Sequence, residues 1–205
     1  APEIGKGLSD YSFVEQKMMR WLTHRLRLPG RHRGARLESA LKIIRDDCGG
    51  DGLRSLVDFG GGGGNDALFY AKNGYDVVCA DFPSPWDAHL AERFRLHGVS
   101  CRLEDVRAIS AEHRFDVLTS MDVLEHIYDV EAALASMLSL VRSGGYLVVQ
   151  EDFFNVNYDV EHVDKNRFYH KKVPKYFSAF AEQLPSPGYV NVFRQTASDA
   201  LGREE

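Results

Sequence analysis

Leu56-Val57-Asp58-Phe59-Gly60-Gly61-Gly62-Gly63-Gly64 is the stretch on which the reading of this chain turns. A short apolar run, Ser55-Leu56-Val57, leads into one carboxylate, Asp58. Five glycines then deliver the chain to a helical segment that opens at Asn65-Asp66-Ala67-Leu68-Phe69. Strand, tight turn and helix form the first unit of a parallel α/β sheet. Glycine suits such a turn because it tolerates φ > 0 and lets a ligand approach the backbone closely. The open amides at the helix start can then hold a polar or anionic group. The competing reading is a glycine-rich turn that binds nothing.

Two common nucleotide loops fail against this stretch. A dinucleotide fingerprint needs glycine at n, n+2 and n+5, and the last position falls on Asn65 or Asp66 when counted from Gly60 or Gly61. A Walker loop closes on Gly-Lys-Ser/Thr, which Gly64-Asn65-Asp66 does not match. What remains is an acid, a spacer, and glycine at every second position: Asp58, Gly60, Gly62, Gly64. In this the chain resembles the class I S-adenosylmethionine-dependent methyltransferases, whose first motif has that form and whose cofactor carries no phosphate. The resemblance implies a loop curved around the amino-acid and sugar portions of S-adenosylmethionine.

Downstream, Gly74 precedes Tyr75-Asp76-Val77-Val78-Cys79-Ala80-Asp81, an apolar strand ending in a second carboxylate. Asp58 and Asp81 lie 23 residues apart, the span of one βαβ unit. An acid at this strand end can accept both hydroxyls of a ribose, and Asp81 matches the family's ribose-binding acid. The resemblance makes Phe82 an apolar contact for the adenine. Trp86 to Leu96 reads as a helix, and Val99 to Val106 as a third strand ending in Asp105. There the family carries an acid for the adenine amino group, with the next residue's backbone, that of Val106, close by. Asp105 is preferred for this role over Glu104.

Phe115 to Met121 is the fourth strand, and the run from Phe115 to His126 resembles a signature of small-molecule methyltransferases in this class. Ala132 to Val141 is an amphipathic helix, and Ser143-Gly144-Gly145 turns into a fifth strand, Tyr146 to Gln150. The resemblance covers residues 52–152. Residues 153–172 form a long polar and aromatic loop, and loops of that length tend to be functional. Val173 to Leu184 reads as helical and Tyr189 to Gln195 as a strand. The family ends on two strands in an antiparallel edge, so this pattern leaves one of them without a clear candidate.

Upstream, Phe13 to Leu28 has helical spacing and stops at Pro29-Gly30. By the resemblance, Tyr11, Phe13, Met18 and Trp21 belong to a lid over the substrate mouth; the alternative is packing on the sheet. Arg31-His32-Arg33-Gly34-Ala35-Arg36 is a basic cluster before a second helix, Leu37 to Asp47. It is either a patch for an anionic partner or a solvated helix entry.

The net charge of −5 is unevenly spread, since residues 1–45 hold ten Lys/Arg against four Asp/Glu, leaving −11 for the remainder. The modest overall charge nonetheless disfavours a dedicated duplex nucleic-acid binder. At 205 residues and 44% hydrophobic, the chain can bury one sizeable core. Three widely spaced cysteines suggest neither a disulfide framework nor a zinc site. No apolar run approaches the ~20 residues of a membrane span, and a reducing cytoplasm is the expected compartment. The opening Ala1-Pro2 leaves open that the sequence is trimmed from a longer chain.

The fold expected is therefore α/β: a doubly wound, mostly parallel sheet of the seven-stranded, Rossmann-like methyltransferase type with an N-terminal helical cover. One domain is expected, with the cover over 1–50, the cofactor core over 51–152, and a substrate-side loop and C-terminal edge over 153–205. The expected function is methyl transfer from S-adenosylmethionine to a small-molecule oxygen or nitrogen acceptor. Alternatives are an inactive binding domain of a larger assembly, or a methyltransferase acting on RNA or protein. Asp58, Gly60, Gly62 and Gly64 are expected at the methionine end, Asp81 at the ribose, and Phe82, Asp105 and Val106 at the adenine. A hydroxyl acceptor must lose a proton, which histidine can take near neutral pH. His126, after strand four, and His162, in the following loop, lie where strand C-termini line a ligand crevice. The competing reading makes His126 a helix-start residue that shapes the pocket and His162 a surface histidine. Tyr11, Tyr158 and Tyr169 are further pocket-edge candidates. Asp122, Glu125 and His126 form a mixed carboxylate–imidazole run but no complete ligand set, so no metal is assigned.

Overall fold

The protein's structure, a computed structural model, describes residues 31–50, 52–109, 114–153, 163–186 and 190–196. The chain divides into two compact units, residues 1–36 and 37–205, and of the first only residues 31–36 are described. The helix expected over Phe13–Leu28 therefore lies outside the described residues, as do Tyr11, Tyr158 and His162.

In chain order the elements are α1 (Arg31–Cys48), β1 (Ser55–Phe59), α2 (Asn65–Lys72), β2 (Asp76–Asp81), α3 (Asp87–Leu96), β3 (Cys101–Asp105), β4 (Phe115–Met121), α4 (Val130–Leu140), β5 (Val141–Gln150), α5 (Val173–Phe177), β6 (Ala181–Leu184) and β7 (Asn191–Gln195). The strands form one seven-stranded sheet in the order β3-β2-β1-β4-β5-β7-β6. The first five pair in parallel, and β7 runs antiparallel to both β5 and β6.

Strands buried on both faces read as near-continuous apolar runs, and alternate residues supply two cores. Val57, Val78, Leu118 and Leu147 face one core with Leu134 and Met137 of α4 and Phe177 of α5. Leu56, Val77, Val117 and Val148 face the other, with Leu41 and Ile44 of α1, Tyr70 of α2 and Phe94 of α3. The sheet is thus covered by helices on both sides, the doubly wound arrangement.

At the N-terminal end of the strands Asp116 ties three segments together. Its Oδ2 accepts the amides of Arg54 and Ser55 at 2.8 and 2.9 Å, and its Oδ1 accepts Arg142 Nε at 2.6 Å. Burial alone would raise the pKa of this carboxyl, but the donors of Ser55, Arg142 and Arg54 outweigh it and hold it at about 2. In open α/β sheets ligands bind outside the carboxyl ends of the strands, which makes the opposite end, beside the glycine bend, the candidate site.

Two expectations need correction. The basic cluster Arg31–Arg36 does not precede a helix but forms its opening turns, since α1 starts at Arg31. Residues 181–184 were expected to continue a helix, yet α5 stops at Phe177 and Ala181–Leu184 is the missing edge strand. Ala, Glu, Gln and Leu are all good helix formers, so local propensity points the wrong way. Pairing of Ala181 with Gln195 through Leu184 with Val192 overrides it, and both Ala181 and Leu184 are buried.

Candidate functional site

The glycine bend between β1 and α2 is shaped by backbone demands that fall on alternate residues. Gly60, Gly62 and Gly64 have φ of 76°, 49° and 68°, the left-handed region that disfavours side chains. Gly61 lacks that constraint but is no freer, because a Cβ there would overlap Cys79 Sγ. A Cβ on Gly64 would come within 2.7 Å of Phe94 Cζ. The amides of Gly60 and Gly61 both donate to the Ala80 carbonyl, at 2.8 and 3.2 Å, so the bend is fastened to β2.

Asp58 lies beneath this bend, 2% exposed, and its Oδ2 accepts the Ala67 amide at 3.0 Å. A carboxylate at that place satisfies an open donor of α2 and favours the positive end of the helix. From α3, Arg93 donates to the Gly63 carbonyl and, at 2.6 Å, to Asn65 Oδ1, bracing the outer side of the bend. Burial, with the Asp58 charge next, pushes the Cys79 thiol well above its usual range, which makes it packing rather than a nucleophile.

Next to the bend the ends of β2 and β3 bring Asp81 and Asp105 into register as paired residues. Asp81 Oδ2 accepts the Gly62 amide at 2.6 Å, and its Oδ1 accepts the Phe82 amide at 2.7 Å. Phe82 is 62% exposed, unusual for an aromatic ring of this size. The Val106 amide donates to the Asp81 carbonyl at 3.0 Å, extending the β2–β3 pairing, so that N–H is already engaged. Asp105 accepts the backbone amide and both Nε and Nη2 of Arg107, at 3.0, 2.9 and 2.6 Å. Those bonds hold its carboxyl below the usual range. Glu104 pairs instead with Arg102, at 3.2 Å.

The C-terminal ends of β4 and β5 continue the same edge of the sheet. Asp122 follows β4 with φ 56°, a left-handed conformation that costs free energy in a residue with a Cβ. Gln150 Nε2 donates to Asp122 Oδ1 at 2.7 Å, and the Asp122 amide donates to the Gln150 carbonyl at 2.9 Å. A single 3-10 turn, Leu124–His126, comes next, with His126 half-buried and Glu125 buried. Glu125 Oε1 accepts the Asp152 amide at 3.2 Å. Glu151, just past β5, has a carboxyl pushed up to about 8 by burial and by the charges of Glu125 and Asp122.

The described part of the long loop is docked on the His126 turn. Asn166, buried within the 3-10 segment Asp164–Tyr169, donates from Nδ2 to the carbonyls of Leu124, Glu125 and Ile127, at 3.2, 3.2 and 2.7 Å. The Val163 amide donates to the Glu125 carbonyl at 3.0 Å. Tyr169, a pocket-edge candidate, turns its hydroxyl to Glu131 of α4 at 3.2 Å. Among the described residues, no group of three or more His, Cys, Asp or Glu side chains is placed to hold a metal ion.

Sequence reasoning named the bend, Asp81 and Asp105, which the structure brings together at adjacent strand ends, but it gave no role to Gly61, Arg93, Asn166 and Glu151. Gly61 stood in plain view between two motif glycines; its reason, the Cys79 sulfur, comes from a different strand. Arg93 and Asn166 act through contacts 28 or more residues away, and no local pattern signals those.

A family model described as a methyltransferase domain matches residues 13–192. The ubiquinone biosynthesis O-methyltransferase of Rhizobium etli is 38% identical over 106 residues, covering 48% of this chain and 41% of the relative. The aligned stretch thus spans well under half the length of that relative. Among solved structures, the N-methyltransferase NodS from Bradyrhizobium japonicum, crystallised with S-adenosyl-L-homocysteine, superposes with a TM-score of 0.59 at 15% identity. That match covers 82% of this chain and 87% of NodS. The PH0226 protein from Pyrococcus horikoshii reaches a TM-score of 0.63 at 15% identity, over 82% of this chain and 92% of that one. At such identities the two structures speak for the fold alone. By its strand order and by a family model that covers most of the sequence, the chain belongs to the methyltransferase-domain family, within the class I S-adenosylmethionine-dependent methyltransferases.

Proposed function

We propose that this domain transfers the methyl group of S-adenosylmethionine to an oxygen or nitrogen atom of a small-molecule acceptor, with oxygen preferred. The observation that carries the reading is the alignment of three adjacent strand ends: the glycine bend after β1, Asp81 closing β2 and Asp105 closing β3. The residues suit the cofactor. Side chains are excluded along the bend, where Cβ atoms at Gly61 and Gly64 would meet neighbours. Gly60, Gly62 and Gly64, with Asp58 ordering the loop from below, would hold the methionine end. Asp81 offers a carboxylate for two ribose hydroxyls, Phe82 and Asp105 would take the adenine, and Val106, its N–H engaged by the Asp81 carbonyl, would border it. When bound, S-adenosylmethionine supplies an activated methyl group on a good leaving group, so the protein's main tasks are alignment and exclusion of water.

On the acceptor side His126 is the candidate to accept a hydroxyl proton, from the turn after β4, and His162 is a second. The turn is held by Asn166, so the loop docked on it would fix where an acceptor lies. The preference for oxygen rests on the relatives' name, which is that of O-methyltransferases. The test has two stages. Titration calorimetry with S-adenosylhomocysteine should show one site per chain. Incubation with methyl-labelled S-adenosylmethionine and a panel of hydroxyl and amine acceptors should then give a labelled product whose formation falls in His126→Ala. Absence of S-adenosylhomocysteine binding would overturn the reading.

A further inference from the structure

Arg107 belongs to no motif in the sequence, yet its guanidinium touches both side chains given above to the adenine. Nε and Nη2 donate to Asp105 Oδ1 and Oδ2 at 2.9 and 2.6 Å. The Arg107 Cζ stands 5.5 Å from the centre of the Phe82 ring. A guanidinium is planar and forked, so it can bond a carboxylate edge-on while presenting a flat cation to an aromatic ring. An adenine seated there would offer the same pair of features, an amino donor for Asp105 and a flat π face for Phe82. Ligand and side chain therefore compete for identical partners. The Arg107 side chain is 65% exposed, which leaves it room to swing into solvent. Its backbone amide bond to Asp105 Oδ1, at 3.0 Å, does not depend on where that side chain points.

We propose that Arg107 is an internal competitor for the adenine subsite: its guanidinium occupies Asp105 and Phe82 and must withdraw before the adenosyl end of the cofactor can settle. Arg107 is thus a positioning residue that sets how tightly the adenosyl end is held and rejects ligands unable to displace it. The inference rests on the cofactor reading above and adds to it a residue that weakens binding.

Calorimetric titration of wild type and Arg107→Ala with S-adenosylhomocysteine, and separately with adenosine, tests it. An exposed bidentate ion pair with a cation–π contact is a modest competitor, so the variant should bind both ligands about fivefold more tightly. Adenosine is uncharged, and salt screens the Arg107–Asp105 pair. Raising the salt concentration should therefore tighten adenosine binding to wild type and leave the variant unchanged, a response that a purely structural role would not produce. Unchanged or weaker binding by Arg107→Ala would overturn the proposal while leaving the cofactor reading intact. If neither protein bound S-adenosylhomocysteine, the cofactor reading itself would fail and this inference with it.

Discussion

Asp81 Oδ2 and the Gly62 amide are 2.6 Å apart across 19 residues of sequence. The carboxylate at the end of β2 therefore grips the middle of the glycine bend, and under the proposed function one side chain would serve two ends. It orders the loop, and it stands where the proposed ribose would bind.

Replacing Asp81 with alanine would remove the bond to the bend and the proposed ribose contact together. Loss of charged hydrogen bonds of this kind costs about 2–3 kcal/mol. The Asp81→Ala variant should keep its fold, since the residue is only half-buried at a strand end. Its S-adenosylhomocysteine affinity should fall by roughly two orders of magnitude. Calorimetry reads this directly, and an unaltered Kd would count against the ribose assignment.

Gly61 and Cys79 should be coupled. Alanine at Gly61 pushes a methyl group into the buried sulfur and should destabilise the domain by about 1–3 kcal/mol. In a Cys79→Ala background the same substitution should cost less, by more than about 0.5 kcal/mol, as expected for residues in contact. Urea denaturation of the four proteins of this cycle measures the difference; additive effects would show that the overlap is relieved elsewhere.

Asp116 should govern acid stability. Its folded pKa, about 2, lies below the unfolded carboxylate value of ~3.9. A depressed pKa contributes stability that is present above the unfolded value and lost as pH falls through the folded one. Wild type should therefore lose stability between about pH 4 and pH 2. Asp116→Asn should be less stable at neutral pH, by on the order of 2 kcal/mol. It should also lack that part of the acid limb. Thermal denaturation across this pH range separates the two curves.

Glu151 should act in the opposite sense. Its folded value of about 8 lies above the unfolded one, because burial and the neighbouring Glu125 and Asp122 charges oppose ionisation. Its contribution is present below the unfolded pKa and disappears as pH rises through the folded one. Glu151→Gln should match wild type near pH 4 and exceed it in Tm near pH 9, by several degrees. Parallel Tm profiles would show that the carboxyl ionises without penalty.

How far the chain could be read without coordinates follows from how local each cause is. The alternation Gly60, Gly62, Gly64 was legible because a left-handed φ is a property of one residue at a time, and the structure shows all three in that conformation. The strand ending at Asp81 was legible because a run buried on both faces is apolar throughout. The short edge strand Ala181–Leu184 was not, since its only support is the hydrogen-bonded neighbour β7, and its own residues favour a helix.

The sequence by itself determined the run of elements from α1 to β5, the glycine bend, and the acids near the ends of β1, β2 and β3. Each is written in residue type, spacing or periodicity, and each acts over a single turn or strand. Only the tertiary structure decided which of those acids already has partners. Asp58 lies under the bend with a helix amide, Asp81 holds Gly62, and Asp105 holds Arg107. It alone also brought Arg93 to the bend and Asn166 to the His126 turn. Hydrogen bonds and close packing are set by where the sheet and its covering helices carry side chains in space, and separation along the chain holds no record of that.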